Sequence, residues 1–111
     1  MLKGFMDKIE ALGIYEKRCV SDDRIELVFF DKDIAAWNNV LISELGGPVK
    51  KAGEKPSRED LEITEIYGGL YQDQTLFRKE TDGGVIIGMF WPWQSAPYIT
   101  LKLIFIKNMP Q

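Results

Sequence analysis

Histidine is absent from this 111-residue chain, and cysteine occurs once, at Cys19. Without an imidazole, Ser–His–Asp and Cys–His catalysis cannot be assembled within one chain. Zinc centres built on imidazole and a histidine proton switch near neutral pH are excluded with them. A lone thiol forms no intrachain disulfide and no cysteine-rich metal cluster, and it fits a reducing cytosol. Long apolar runs are missing too, since none approaches the roughly 20 residues that span a bilayer. Residues 1–12 are broken by Lys3, Asp7, Lys8 and Glu10, which argues against a signal-peptide core. The expected location is therefore cytoplasmic, with no membrane partner. Basic charge is short: 14 Lys and Arg stand against 17 Asp and Glu, a formal net charge of −3. Nucleic-acid binders usually carry a basic excess, so nucleic acid ranks last among the partners considered.

What remains is ordinary globular composition, 45% hydrophobic and 28% charged, in a length that suits one domain, residues 1–111. Leu2, Phe5, Met6, Ile9 and Leu12 repeat at helical spacing, and Gly13 supplies a stop. The mixed charges on the opposite face favour core packing over a membrane anchor. Ile14 to Val20 and Arg24 to Phe30 read as a hairpin around Ser21-Asp22-Asp23. A helix is expected from about Lys32 to Leu45, with Asp31 as its cap, Ile34, Trp37, Leu41 and Leu45 as its stripe, and Gly46-Gly47-Pro48 as its end.

Residues 46–56 hold three Gly, two Pro and three Lys, the composition of a solvated loop. Lys50, Lys51 and Lys55 make it at most a weak anion-binding loop, because the phosphate-cradling order G-x-x-x-x-G-K-[ST] is absent. Residues 57–67 fit either a helix or a strand. Ser57 as a cap and Gly68-Gly69 as a stop favour the helix. Gln74 to Thr81, Val85 to Trp91 and Tyr98 to Ile106 read as strands, the first two joined at Asp82-Gly83-Gly84. The expected fold is α+β, with an antiparallel sheet of about five strands, two or three helices packed on it, and the order α-β-β-α-α-β-β-β.

Charge is distributed unevenly, and only Lys102 and Lys107 are charged after Asp82. The last two strands are apolar on both faces, as expected where both sides of a sheet are covered. A helix on the opposite side, a second copy of the chain or an apolar ligand would each satisfy this pattern. Phe90, Ile104 and Ile106 are accordingly candidates for an interface in a homodimer. Trp91, Trp93 and Tyr98 are candidate recognition residues, since Trp and Tyr concentrate where partners bind. The polar stretch with Tyr67, Tyr71, Gln72 and Gln74 is a second binding candidate, on a loop between regular elements. Cys19 is expected to be buried in line with Tyr15 and Lys17. Arg78, Lys79 and Lys102 resemble charges that guard strand edges. No residue is singled out as catalytic, no metal-ligand set is visible, and no cofactor is expected. The expectation is a non-enzymatic binding or adaptor domain that self-associates. The alternatives are a small-molecule site, enzymatic or not, lined by Tyr, Gln and Trp, and a weak nucleic-acid binder.

Overall fold

Helical spacing near the N-terminus and alternating strands thereafter give the observed elements, in the order the sequence implies. In the computed structural model, which describes residues 2–108, helix α1 (Lys3–Ile9) runs into a 3-10 turn, Glu10–Leu12. Strands β1 (Glu16–Val20) and β2 (Arg24–Phe30) form a hairpin, followed by a 3-10 turn, Asp31–Asp33, and helix α2 (Ile34–Leu45). The ambiguous stretch is helix α3 (Arg58–Thr64), extended by a 3-10 turn, Glu65–Tyr67. Strands β3 (Thr75–Thr81), β4 (Gly84–Pro92) and β5 (Tyr98–Lys107) complete the chain. All five strands pair antiparallel in the order β1-β2-β5-β4-β3, so the fold is α+β.

Local chemistry explains most boundaries. The Ser57 hydroxyl accepts the Asp60 amide at 3.1 Å and so caps α3. Gly68, with φ +103°, ends the turn that follows in a conformation L side chains rarely adopt. The cap expected from Asp31 is not formed. The chain enters α2 through the 3-10 turn, no side chain caps either start, and the Asp31 amide instead donates to the Pro97 carbonyl at 2.9 Å. Strand β1 is shorter than read, although the Tyr15 amide still reaches the Val28 carbonyl at 2.8 Å.

The sheet is covered on both faces, and the helices divide between them. On the first face, α1 and α2 lie over Ile25, Leu27, Phe29, Phe77, Ile86, Phe90, Ile99, Leu101 and Leu103. Gly88 admits α2 there: an added Cβ would sit only 3.3 Å from Leu45 and 3.4 Å from Leu41. On the second face, Ile63, Tyr67 and Leu70 pack on Leu76, Val85, Ile87, Met89 and Ile104. The doubly apolar strands are thus explained within one chain. Phe90 and Ile104, singled out as interface residues, are 3% exposed and belong to the two cores. Ile106 is partly buried against the second core. No helix of the described residues is long and apolar enough to cross a membrane.

Candidate open sheet face

Helix α3 and the loop after it pack on the β3–β4 side of the second face and on Ile104 of β5. Register sets the neighbours on the rest of this face. Glu26 lies opposite Lys102, Val28 opposite Thr100, and Phe30 opposite Tyr98; Val28 and Thr100 are buried, at 0% and 5%, so the surface that meets solvent is formed by the side chains around them. Thr100 in turn faces Trp91 on β4. Across β1, pairing slips between Lys17 and Cys19, so both Arg18 and Cys19 lie against the Glu26 position. This bulge shifts Cys19 off the alternation with Tyr15 and Lys17, as an inserted residue must. Cys19 is half-buried, its thiol 3.9 Å from the Arg24 carbonyl.

One end of this surface is aromatic. Tyr15 stacks on Tyr98 with centroids 4.5 Å apart, and Phe30 meets each of them at 5.4 Å. Trp93 meets Tyr98 edge-on at 5.1 Å, and its indole N–H donates to the Thr100 hydroxyl at 2.8 Å. The Arg18 guanidinium lies 5.6 Å from the Trp93 ring centre. Tyr15 remains 50% exposed, so the cluster meets solvent. The neighbouring Tyr15 phenol pushes Tyr98 above the usual phenol range, and desolvation adds to the rise.

The middle of the surface is charged. Glu26 accepts Arg24 at 3.2 Å and lies 3.9 Å from Arg18, which also pairs with Glu16 at 3.1 Å. The Lys102 ammonium sits 3.7 Å from the Trp91 ring centre and donates to the Tyr67 carbonyl at 3.2 Å. Burial holds Lys102 below the ordinary lysine value; Arg24 and Arg18 push it the same way, while Glu26 opposes them. Lys102 does not guard an edge, because β5 is the central strand. Arg78 and Lys79 do lie on an edge strand, β3.

Trp91 marks the boundary between the covered and open halves. Lys102 lies over its ring, and Gly68 lies against the ring's outer atoms. Its indole N–H is buried without a hydrogen-bond partner among the described residues. A Cβ on Gly68 would stand 2.5 Å from the Trp91 Cη2 atom, at a φ of +103°. Gly68→Ala is therefore expected to displace the indole and to cost about 1–3 kcal/mol through backbone strain. Urea unfolding would read the cost, and near-ultraviolet circular dichroism would read the indole. An unchanged spectrum would show that Trp91 does not depend on this glycine.

The predicted site residues separate into two groups. Trp93 and Tyr98 join Tyr15, Phe30 and Arg18. Tyr67 and Tyr71 gather at Trp91, the Tyr71 ring 6.4 Å away and edge-on. Gln72 and Gln74 line no shared cleft with them: the Gln72 amide donates to the Gly53 carbonyl at 3.0 Å, and the Gln74 amide oxygen accepts the Tyr71 N–H at 3.0 Å. In the loop that follows α2, Lys51 and Lys55 are exposed, but Lys50 points inward and is 2% exposed. Its ammonium donates to the carbonyls of Gln74, Gln72 (2.7 Å) and Lys51 (3.2 Å), so it is not offered to an anion. Arg18, Glu26, Tyr15 and Phe30 were not singled out from sequence. Their alternation was visible, but their convergence needs the order in which the strands pair. The described residues hold no cluster of three or more Cys, Asp or Glu suited to a metal ion. Comparison with protein-family models, with curated proteins and with solved structures finds no match for this chain.

Proposed function

We propose that this protein is a non-enzymatic binding domain whose recognition surface is the open β1–β2–β5 part of the second sheet face. The observation that carries this reading is the solvent-reaching cluster of Tyr15, Phe30, Trp93 and Tyr98 with Arg18 against Trp93. Trp, Tyr and Arg dominate the energetics of protein interfaces because each buries a large area and keeps a polar handle. The rings brace one another, so little side-chain freedom is lost when a partner covers them. The self-association expected through Phe90 and Ile104 is not part of this proposal, since both lie inside the chain's own cores.

A photo-crosslinking residue placed at Tyr15 in cells producing the protein tests the reading. It is expected to trap one discrete species heavier than the chain, and the same probe at exposed Ala35 on α2 is expected to trap none. A product of twice the chain mass identifies a second copy as the partner. Absence of any adduct at Tyr15, or equal adducts at both positions, overturns the proposal.

A further inference from the structure

The charges on the open face define the chemistry of what binds there. The chain as a whole carries a net charge of −3, yet this face has the opposite balance. Three cations, Arg18, Arg24 and Lys102, surround Glu26, and the only other carboxylate in the group is Glu16. Glu26 is the least exposed of the ion-paired side chains, at 18%, against 37% for Arg18 and 42% for Arg24. Its single charge is shared by two guanidiniums, and its register neighbour is a third cation. Among the described residues Lys102 forms no ion pair; its ammonium meets a backbone carbonyl and the Trp91 ring. Both arginine side chains are partly exposed, and guanidinium forks match carboxylates in pairs.

We infer that the partner of the open face presents an acidic protein segment, its carboxylates meeting Arg18, Arg24 and Lys102 and an apolar side chain meeting the Trp93–Tyr98 end. This deepens the docking reading above and rests on it. An incoming carboxylate offsets the positive charge that three cations keep beside only two carboxylates, Glu26 and Glu16. A basic partner would add to that charge. A nucleic-acid strand fits less well because the aromatic faces are in use: Lys102 and Gly68 flank Trp91, Arg18 lies against Trp93, and Tyr98 is stacked on Tyr15. Base stacking requires a free ring face.

Nuclear magnetic resonance titration of the full chain tests this with three probes: a glutamate-rich peptide containing one phenylalanine, a lysine-rich peptide of equal length, and oligo-dT. The glutamate peptide is expected to give saturable amide shifts confined to β1, β2 and β5, weakening as salt rises. Arg18→Gln with Arg24→Gln should reduce that affinity at least tenfold while leaving the remaining spectrum in place. Arg18→Lys with Arg24→Lys keeps the charge and should lose less. Tighter binding of oligo-dT or of the lysine peptide at the same residues overturns the inference, as does an acidic peptide whose shifts scatter or ignore both arginines. The two readings fail separately. If the Tyr15 crosslink traps a protein but the acidic peptide leaves the face unmoved, the acidic-segment inference is wrong and the docking reading stands. If Tyr15 traps nothing, the docking reading falls whatever the peptides do.

Discussion

Truncating Trp37 to alanine should lower the unfolding free energy by about 3–5 kcal/mol, the range for large aromatic-to-alanine changes in a core. Trp37 is fully buried in the first turn of α2 and stacks on Phe29 of β2, with centroids 4.4 Å apart and planes 14° from parallel. It joins the longest helix to the sheet, and the neighbouring Phe29 ring meets Phe90 edge-on at 5.7 Å. Removing the indole opens a void against the Phe29 ring in the first core. Trp37→Phe should cost much less, about 1–2 kcal/mol. The indole N–H is buried with no hydrogen-bond partner among the described residues, and an orphaned donor already costs about 1–3 kcal/mol. Phenylalanine removes that donor while keeping a ring against Phe29. Equilibrium urea unfolding of the two variants measures both costs. Equal costs would mean that the indole N–H is satisfied by a solvent molecule in the folded protein.

Trp37 also shows what the sequence makes legible. Its place in the Ile34, Trp37, Leu41, Leu45 stripe predicts burial, and three of the four are buried, while Ile34 at the helix start stays 36% exposed. Residues 57–67 resolve to helix because Ser57 does cap and Gly68 does stop, both signals that act within a few positions. The charge-poor C-terminal strands foretold a sheet covered on both faces. Whether α3 or a second molecule supplied the cover depends on where a helix of seven residues docks, which no local pattern encodes.

The candidate site was legible only in part, for the same reason. Trp93 and Tyr98 stand out by composition, but Arg18, Glu26 and Lys102 are distant in sequence and meet only because β5 inserts between β2 and β4. Reading Lys102 as an edge charge fails on that one topological fact. The bulge between Lys17 and Cys19 adds a second obstacle, since strict alternation assigns Cys19 to the wrong face. Gly68 was readable as a helix stop, yet its contact with Trp91 was not, because that contact joins the covering segment to a strand distant in sequence.

Lys50 is the residue on which composition misleads most. Replacing it with methionine should destabilise the protein by about 3 kcal/mol at neutral pH, as carbonyls left without a donor each cost about 1–3 kcal/mol and some of them can recruit water. Its ammonium ties the loop after α2 to the segment before β3, through the carbonyls of Gln72 and Gln74. The Lys50 backbone also bridges Leu76 at the start of β3. Loosening this junction should move Tyr71, whose amide is held by Gln74 and whose ring meets Trp91, so the effect reaches the edge of the open face. The pH dependence has a definite sign. Burial lowers the Lys50 value below 10.5, outweighing the attraction of Asp73, Glu54 and Asp60. Below the folded-state value, folded and unfolded chains both hold the proton, and this group contributes no slope. Between that value and 10.5 the unfolded chain holds more protons, so the free energy of unfolding rises with pH. The methionine variant lacks this rise, and Lys102, also lowered, contributes equally to both proteins. The stability gap between the native chain and Lys50→Met should therefore widen as pH climbs toward 10.5. Urea unfolding of the pair from neutral to alkaline pH measures it, and a gap that narrows would mean that the three carbonyls stabilise the ammonium more than burial penalises it.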